Sequence, residues 1–535
     1  MTPDNSSDDK PGSRSLDLGK AAAEGATTLF LSKFAQQIVG VIGGILLIRL
    51  LISPSIYAYI SLATTVPGLV MIGNLTGVNT GLTKYLSLYK VEKDSNSIWS
   101  SFWSAIIIKV ATGAALSLVA YFAAGPISTL IGKPLVDPYF RLASPLPFVW
   151  TIQISVKSTM ISLGRVRIYS LYQIVDEILI SSFPIVAVLL GYGAIGALAA
   201  MVLANFASWG IAMTLTLATV YAETELGRRN LNFVPSAREL IKFGLPQGIS
   251  NSFSTFSGQV VNLIIARFVS LDIYGLYSVA VSASGFGTYI SDPISSMLLP
   301  VYSRIKGIQD RELMKTAFRE TIRYSSLFYF PVGIFLTIFA RPFVVLLFGQ
   351  SYGNAGFYLS IISAFALAYG LGSGAIYTIL TSQGYSKFTG ARSVLFMVIR
   401  MGLAALVIPT LGFVPFLFVG IVTIPASYII DIRKLKGVLN LRPPLSVVFP
   451  MYVATVLTGL ATLPIVLLQM APLVQVVIGA LLTIAAYVLF NILFKSITKT
   501  DVRYVRMMLS SQALLLKIVS PFLTIIERIA EKVHH

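Results

Sequence analysis

The sequence has no cysteine, and its only two histidines, His534 and His535, are its last two residues. The absence of cysteine excludes disulfides, thiolate metal sites and cysteine nucleophiles. A terminal histidine pair is as typical of a purification tag as of a native sequence, so no histidine is expected to act in acid–base catalysis or metal binding. The sequence therefore predicts no cofactor and no metal site.

Charged residues are also scarce, at 12% of 535 residues, whereas a soluble domain carries about 25%. Hydrophobic residues make up 55% of the chain, and they occur in runs of helix length. Lipid cannot satisfy exposed backbone groups, so such runs must form transmembrane helices. The composition predicts an all-α polytopic membrane protein.

Apolar windows bounded by glycine, proline and charged residues predict about 14 transmembrane helices. These spans cover residues 27–51, 56–83, 98–124, 139–161, 168–190, 193–220, 240–268, 273–300, 318–339, 355–381, 386–408, 411–432, 446–468 and 472–494. Residues 1–26 are polar and are expected to form a disordered cytoplasmic tail. Residues 496–535 mix basic and apolar residues, which indicates an amphipathic helix on the inner membrane surface.

The net charge of +18 is distributed unevenly between the two sides of the predicted bundle. Few basic residues lie on the outer side of the membrane or in the middle of a span, and all others fall on the inner side. Those on the outer side are Arg49, Lys133, Arg141, Arg267 and Arg341, and those in mid-span are Lys109 and Arg400. The positive-inside rule then predicts that both termini are cytoplasmic, and the basic residues indicate membrane topology and not nucleic-acid binding. The expected location is the plasma membrane. The outer loops are too short for a catalytic domain, so no enzyme is expected.

Matching motifs recur at a separation of about 218 residues. Arg49 after the first span corresponds to Arg267 after the seventh, and Ser162–Gly164 after the fourth corresponds to Ser382–Gly384 after the tenth. Six spans separate the copies, so both copies enter the membrane in the same direction and the repeat is parallel. The repeat predicts two six-helix lobes, 27–222 and 223–436, with two extra helices in 437–495.

Four motifs resemble signatures of the polysaccharide and oligosaccharide-lipid flippases of the multidrug/oligosaccharidyl-lipid/polysaccharide exporter superfamily. They are Arg49-Leu50-Leu51 with Tyr57, Lys242-Phe243-Gly244-Leu245-Pro246, Tyr274-Gly275-Leu276-Tyr277-Ser278-Val279-Ala280, and Leu347-Phe348-Gly349 with Tyr352. The resemblance extends from about residue 27 to about residue 510. Ser53 and Ala58 depart from the first signature, which has glycine at both positions.

The resemblance implies a flippase that moves an oligosaccharide linked to a polyprenyl phosphate or diphosphate from the inner to the outer leaflet. It implies alternating access through a central cationic cavity that takes the phosphate and the glycan while the apolar tail stays in lipid. The expected partners are this lipid-linked oligosaccharide and membrane lipid, with no nucleic acid and with the protein as a monomer.

Ionisable groups inside spans are costly and usually face a protein interior or an aqueous cavity. The basic candidates for substrate binding are Lys33, Arg49, Lys84, Lys109, Lys157, Arg267 and Arg400. Each has a structural alternative. Lys109 can pair with Asp176 or Glu177, and Arg49 and Arg267 can be interface anchors. Positive-inside placement alone also accounts for the lysines near the inner ends of spans.

The remaining candidates are polar residues in the second, seventh and eighth spans, which the family resemblance places at the cavity. They are Asn74, Gln247, Asn251, Gln259, Asn262 and Asp292. The amides of the seventh span fall on one helical face, and hydrogen bonding between helices is their alternative role. Asp292 would bind a coupling cation or pair with a basic residue.

A drug or cation antiporter of the same superfamily is the main alternative function. Such antiporters have acidic cation-coupling residues in the first lobe, whereas the first span here has no acidic residue and the candidates are mainly basic. A saccharide polymerase would need catalytic groups in a large outer loop. A channel or structural membrane protein would not account for the duplicated lobes.

Overall fold

The computed structural model describes residues 11–75, 77–224, 231–305, 310–367, 372–468, 470–497, 520, 524, 527 and 528. The side chains of residues 11–27, 30, 245–251, 287–301, 303, 304 and 366 lie outside the described part. The predicted amphipathic helix 496–535 falls almost entirely outside the described residues, as do His534 and His535.

The described residues form twenty α-helices and no strand. The first ten are α1 (Pro11–Leu50), α2 (Pro54–Ala63), α3 (Thr65–Val70), α4 (Gly77–Glu92), α5 (Ser95–Leu130), α6 (Asp137–Ala143), α7 (Leu146–Ser162), α8 (Val166–Leu189), α9 (Gly193–Glu223) and α10 (Phe233–Phe268). The others are α11 (Leu271–Arg304), α12 (Arg311–Ile338), α13 (Ala340–Phe348), α14 (Ala355–Ala366), α15 (Ser373–Ser382), α16 (Ser386–Leu411), α17 (Phe413–Leu417), α18 (Gly420–Leu439), α19 (Leu445–Leu467) and α20 (Pro472–Leu493).

Every predicted span coincides with one of these helices or with a broken series of them. Ten stretches within the described residues are long and apolar enough to cross a membrane. Their outer faces are apolar too: Leu31, Phe34, Ile38, Ile42 and Leu46 form an exposed stripe along α1. Such a stripe is stable only against lipid, because a soluble protein rarely exposes so large an apolar patch. The predicted all-α polytopic membrane fold is confirmed.

The first helix is longer than the sequence indicates. Residues 1–26 are predicted to be a disordered tail, but α1 begins at Pro11 and continues without a break to Leu50. Proline is favoured in the first turn of a helix, and the alanines that follow have the highest helix propensity. Polarity alone therefore misidentified the segment from residue 11 to residue 26.

The second predicted span, 56–83, is a series of broken pieces. Helices α2 and α3 and a 3₁₀ turn end at Gly73, and α4 begins at Gly77. Asn74 has extended backbone angles between the two parts. Broken helices at membrane depth are tolerated where protein groups satisfy the free backbone, so the break needs a local partner.

The chain divides into two compact units, one of residues 1–51 and 59–267 and one of residues 52–58 and 268–535. This division differs from the expected lobe boundary at residues 222 and 223, because α10 belongs to the first unit. Glycines let its backbone lie directly on α4. A Cβ at Gly244 would fall 1.7 Å from the carbonyl oxygen of Gly77, and a Cβ at Gly81 would fall 2.9 Å from that of Leu240.

Helices α1 and α8 also pack closely in the first unit, with polar groups along their contact. Nε2 of Gln36 donates to Glu177 at 3.1 Å, and Nε2 of Gln173 donates to Oε1 of Gln36 at 3.3 Å. A Cβ at Gly40 would fall 2.6 Å from Oε1 of Glu177. The carboxylate of Glu177 is thus held by α1, and it does not contact Lys109.

The second unit contains α19 and α20 together with the helices of the second predicted lobe. A Cβ at Gly459 on α19 would fall 2.9 Å from Ile334, and a Cβ at Gly479 on α20 would fall 2.4 Å from Phe339. The guanidinium of Arg323 donates to the carbonyl of Ser496, just after α20, at 3.0 Å. Residues 437–495 therefore pack with α12 and are not a separate domain in this structure.

The sequence repeat forms the same turn in each unit. Gly164 links α7 and α8 with a φ of +70°, and Gly384 links α15 and α16 with a φ of +89°. In each turn, the amide after the glycine donates to the carbonyl five residues before it, at 2.9 Å. A positive φ favours glycine, which explains why this motif recurs in both copies.

Candidate functional site

The break in the second span is held by a lysine from α5. Lys109 has no exposed surface, and its Nζ donates to Oδ1 of Asn74 and to the carbonyl of Leu75, each at 2.8 Å. Both acceptors belong to the non-helical residues between Gly73 and Gly77. The ammonium therefore satisfies the carbonyl of Leu75, which a continuous helix would have satisfied itself, and the side-chain oxygen of Asn74.

The charge of Lys109 also suits its position along the broken span. The carbonyl end of the helical series that finishes at Gly73 carries a partial negative charge, which a cation stabilises. This contact replaces the pairing with Asp176 or Glu177 that the sequence left open. It also turns the ammonium of Lys109 away from any cavity and toward the backbone.

A cavity of about 470 Å³ lies beside the break, within the first unit. Its volume is in the range of small-molecule binding sites in proteins. It is lined by Thr64, Gly68, Met71, Asn74, Trp150, Gln153, Ile154, Ser252, Thr255 and Gln259. These described lining residues provide amides, hydroxyls and one indole, and none of them is ionisable.

A buried network supports Gln153 from behind the cavity. Its Nε2 donates to Oδ1 of Asp176 at 3.1 Å, to the hydroxyl of Tyr172 at 2.7 Å and to Ser208 at 3.2 Å. Asp176 also accepts a short hydrogen bond from Ser208 and pairs with Nζ of Lys157 at 2.6 Å. Lys157, which was expected to contact substrate, is thus the counterion of a buried carboxylate.

A second cavity of about 420 Å³ lies farther along α4, also in the first unit. It is lined by Asn79, Thr80, Thr83, Lys84, Ser158 and Phe243. The ammonium of Lys84 is exposed and lies 4.0 Å from the centre of the Phe243 ring. This cavity, unlike the first, has a cationic group in its wall.

The structure does not bring the other basic candidates into either cavity. Lys33, Arg49, Arg267 and Arg400 are exposed. The guanidinium of Arg267 packs on Gly132, where a Cβ would fall 2.4 Å from its Nη1. Burial and the charge of Arg267 together lower the pKa of Lys133 in the same loop. Arg267 and Lys133 thus lie together near the C-terminal ends of α5 and α10 in the first unit.

The amide candidates of α10 are only partly described. Gln259 lines the first cavity, and its Oε1 accepts a hydrogen bond from Asn262 at 3.3 Å. The side chains of Gln247, Asn251 and Asp292 lie outside the described residues.

Several residues that line the first cavity are not among the candidates predicted from the sequence. Trp150 and Gln153 lie on α7, in a span that produced only one candidate, Lys157, and Ser252 and Thr255 lie between the amides of α10. Gln153 had a visible signal, since an amide in an apolar span is costly without a partner. Its partner Asp176 is 23 residues away on the next helix, which sequence spacing does not reveal.

A multi-pass helical bundle with a polar cavity inside one unit has the architecture of a membrane transporter. The sequence matches the family model described as polysaccharide biosynthesis protein over residues 46–355. No curated protein matches the sequence at a significant level.

Solved structures with the same fold are membrane transporters. The lipid II flippase MurJ in an inward closed conformation aligns with a TM-score of 0.62 and 15% identity, over 86% of this chain and 98% of that chain. An inward-facing multidrug resistance MATE family transporter aligns with a TM-score of 0.60 and 15% identity, over 75% of this chain and 95% of that chain. A transporter of this superfamily from Pyrococcus furiosus, whose binding pocket is described as having reverse polarity, aligns with a TM-score of 0.55 and 14% identity. The alignment covers 78% of this chain and 96% of that chain.

The chain belongs to the polysaccharide biosynthesis protein family, and its fold is that of the transporters of the multidrug/oligosaccharidyl-lipid/polysaccharide exporter superfamily with which it aligns. The resemblance seen in the sequence motifs is thereby confirmed.

Proposed function

We propose that the protein is a flippase that moves a polyprenyl-phosphate- or diphosphate-linked oligosaccharide from the inner to the outer leaflet by alternating access. The observation that supports this most is the cavity beside the broken second span. Its amides, hydroxyls and indole are groups that bind a polar, uncharged ligand such as a sugar. Transport of the headgroup through protein leaves the apolar tail in lipid.

The anionic part of this substrate requires a separate contact. Lys84, in the wall of the second cavity, is the described cation best placed for it, because it is exposed and lies on the same helix that follows the break. Lysine is a common ligand of phosphate. An inside-negative potential favours outward movement of an anion by about 2.3 kcal/mol per charge and 100 mV.

The exposed cations at the outer end support the same direction of transport. Arg49 and Arg267 are proposed to meet the phosphate as it reaches the outer leaflet, since an arginine fork matches phosphate oxygens. The distribution of basic residues supports a plasma-membrane protein with cytoplasmic termini.

A drug or cation antiporter is the second candidate, but the site supports it less well. A cationic ligand needs an available carboxylate, and the described lining of the first cavity has none. Asp176, the carboxylate closest to it through Gln153, is only 2% exposed and already pairs with Lys157.

Reconstituted vesicles test the proposal directly. The purified protein would be placed in vesicles with a fluorescent polyprenyl-diphosphate sugar, and an enzyme added outside would modify each sugar that reaches the outer leaflet. We expect faster modification than in empty vesicles. A fluorescent cationic drug tested for uptake in the same vesicles would distinguish the antiporter.

The control for folding is a variant that leaves both cavities intact, such as Gly258→Ala, since a Cβ at Gly258 meets no atom within 4 Å. This variant should flip the sugar at the wild-type rate. Equal rates in protein-containing and empty vesicles, with several glycan lengths tried, would refute the flippase function.

A further inference from the structure

Two amides in the wall of the first cavity are each oriented by a buried charged group. Asn74 is 3% exposed, and its Oδ1 accepts from the ammonium of Lys109. An ammonium can only donate hydrogen bonds, so the oxygen of this amide must face Lys109 and the nitrogen must face the other way. That nitrogen, Nδ2, is buried and has no hydrogen-bond partner within the described part of the chain.

Gln153 is oriented in the opposite sense. It is 6% exposed, and its Nε2 donates to the carboxylate of Asp176. A carboxylate can only accept, so the nitrogen of this amide must face Asp176 and the oxygen is turned away from it. Among the described residues, no group donates to Oε1 of Gln153. Nζ of Lys157 pairs with the other carboxylate oxygen of Asp176 at 2.6 Å.

Asn74 and Gln153 both line the cavity, Asn74 with a buried amide nitrogen that has no partner among the described residues and Gln153 with an amide oxygen turned away from Asp176, and neither amide can rotate without breaking a bond to a charge. We propose that this cavity is a subsite for one uncharged, hydroxyl-bearing sugar unit and that it excludes the phosphate of the transported lipid. The inference rests on the proposed flippase function and assigns the two parts of its substrate to different places. Lys109 and Asp176 are positioning residues that act through these amides.

The chemistry of the two amides discriminates among ligands. A sugar carries hydroxyls that both donate and accept, so its chemistry fits an amide nitrogen such as Nδ2 of Asn74 and an amide oxygen such as Oε1 of Gln153. A phosphate has only acceptor oxygens at full ionisation, and Oε1 would repel it. A buried polar group left without a partner costs about 1–3 kcal/mol, which a bound sugar would recover. Trp150 supplies an aromatic surface in the same wall.

Binding of small soluble probes to the full chain tests the subsite. The probes are the methyl glycosides of glucose, galactose and N-acetylglucosamine, together with inorganic phosphate. Binding would be measured from the rise of the unfolding temperature with probe concentration. The key variant is Asn74→Asp, which keeps an oxygen for Lys109 and replaces the amide nitrogen by a carboxylate oxygen that cannot donate. The matched variant is Lys84→Gln in the second cavity.

We expect at least one methyl glycoside to stabilise the wild-type protein, and Asn74→Asp to weaken its binding about tenfold. Asn74→Asp should leave phosphate binding unchanged, whereas Lys84→Gln should weaken phosphate binding and leave glycoside binding unchanged. A merely structural role of Asn74 would weaken both probes equally. Equal weakening of both probes would overturn the subsite. So would unchanged glycoside binding in Asn74→Asp, or the absence of glycoside binding to the wild type.

The subsite and the flippase function can fail separately. A protein that binds a methyl glycoside through Asn74 but does not flip the lipid-linked sugar in vesicles would refute the proposed function alone. A protein that flips the lipid but whose Asn74→Asp variant binds glycosides normally would refute the subsite alone.

Discussion

The ammonium of Lys109 lies 2.8 Å from Oδ1 of Asn74 and 2.8 Å from the carbonyl of Leu75, so one buried cation closes the gap in a broken transmembrane helix. Burying an ammonium at mid-span costs about 3 kcal/mol. Each hydrogen bond to a charged group contributes about 1.5–3 kcal/mol. The two bonds together contribute about 3–6 kcal/mol, so the lysine stabilises the break by up to about 3 kcal/mol net. A second effect of the lysine is that it orients the amide of Asn74.

Replacing Lys109 with methionine should affect stability and transport to different degrees. We expect the free energy of unfolding to fall by about 1–3 kcal/mol, because the burial cost of the ammonium disappears while the carbonyl of Leu75 and Oδ1 of Asn74 lose their donor. The rate of flipping should fall at least about tenfold, since Asn74 is then free to rotate and one hydrogen bond to the sugar is lost. Chemical denaturation in detergent and the vesicle assay measure the two quantities. A variant that flips at the wild-type rate would contradict this role of Lys109.

The pair between Lys157 and Asp176 should behave differently, because its loss leaves a buried charge. Asp176 has a side-chain exposure of 3%, and Lys157 one of 25%. Breaking a buried pair by removing one partner costs about 3–5 kcal/mol, and the partial exposure of Lys157 places this pair at the lower end. Lys157→Gln should therefore lower the free energy of unfolding by about 3 kcal/mol.

The double variant Lys157→Gln with Asp176→Asn is the control for this effect. It removes both charges and keeps hydrogen-bonding groups of similar size, so it should recover most of the lost stability. Denaturation midpoints of the two single variants and the double variant give the coupling. If the double variant is as unstable as the sum of the singles, the two residues do not act as a pair.

The fold could be predicted because its signals are local. Apolar windows of about 20 residues located the spans, and the recurrence of Ser162–Gly164 as Ser382–Gly384 located the duplicated turn, which both units form with a positive φ at the glycine. The same local signals did not predict features that depend on contacts between helices. The break at Asn74 lies in an apolar stretch, and it is stabilised by Lys109, which is 35 residues away in the sequence.

The candidate site was harder to predict for the same reason. Lys109 was correctly recognised as a buried mid-span cation, but an ionisable group in a span signals a need for partners and does not name them. Its partners turned out to be an amide and a carbonyl. Lys157 was expected to contact substrate, and it pairs with Asp176 on the next helix. Which polar groups remain available to a ligand depends on these pairings.

Asp94 provides a prediction outside the membrane spans. It caps α5 by accepting from the backbone amide of Ser97 at 3.0 Å, and hydrogen bonds from Ser97 lower the pKa of its carboxyl. A lowered pKa means that its contribution is present at neutral pH and is lost as the pH falls through the ordinary carboxyl range. Asp94→Asn keeps the capping oxygen, so it should lose less stability than the wild type between pH 7 and about pH 3.5. If the unfolding temperatures of the wild type and of Asp94→Asn change equally with pH, the stabilising role of the ionised Asp94 carboxylate is contradicted.

The contact of α10 with α4 should tolerate no side chain at Gly244. A Cβ there would fall 1.7 Å from the carbonyl oxygen of Gly77, which is backbone and cannot move aside without separating the helices. Gly244→Ala should therefore destabilise the first unit by about 1–3 kcal/mol or more, as overpacking does.

Gly258→Ala on the same helix is the matched control, because a Cβ there meets no atom within 4 Å. Alanine also has a higher helix propensity than glycine, so this control should be neutral or stabilising by up to about 1 kcal/mol. Thermal unfolding of the two purified variants measures the difference, and equal effects would show that α10 does not pack on α4 through Gly244.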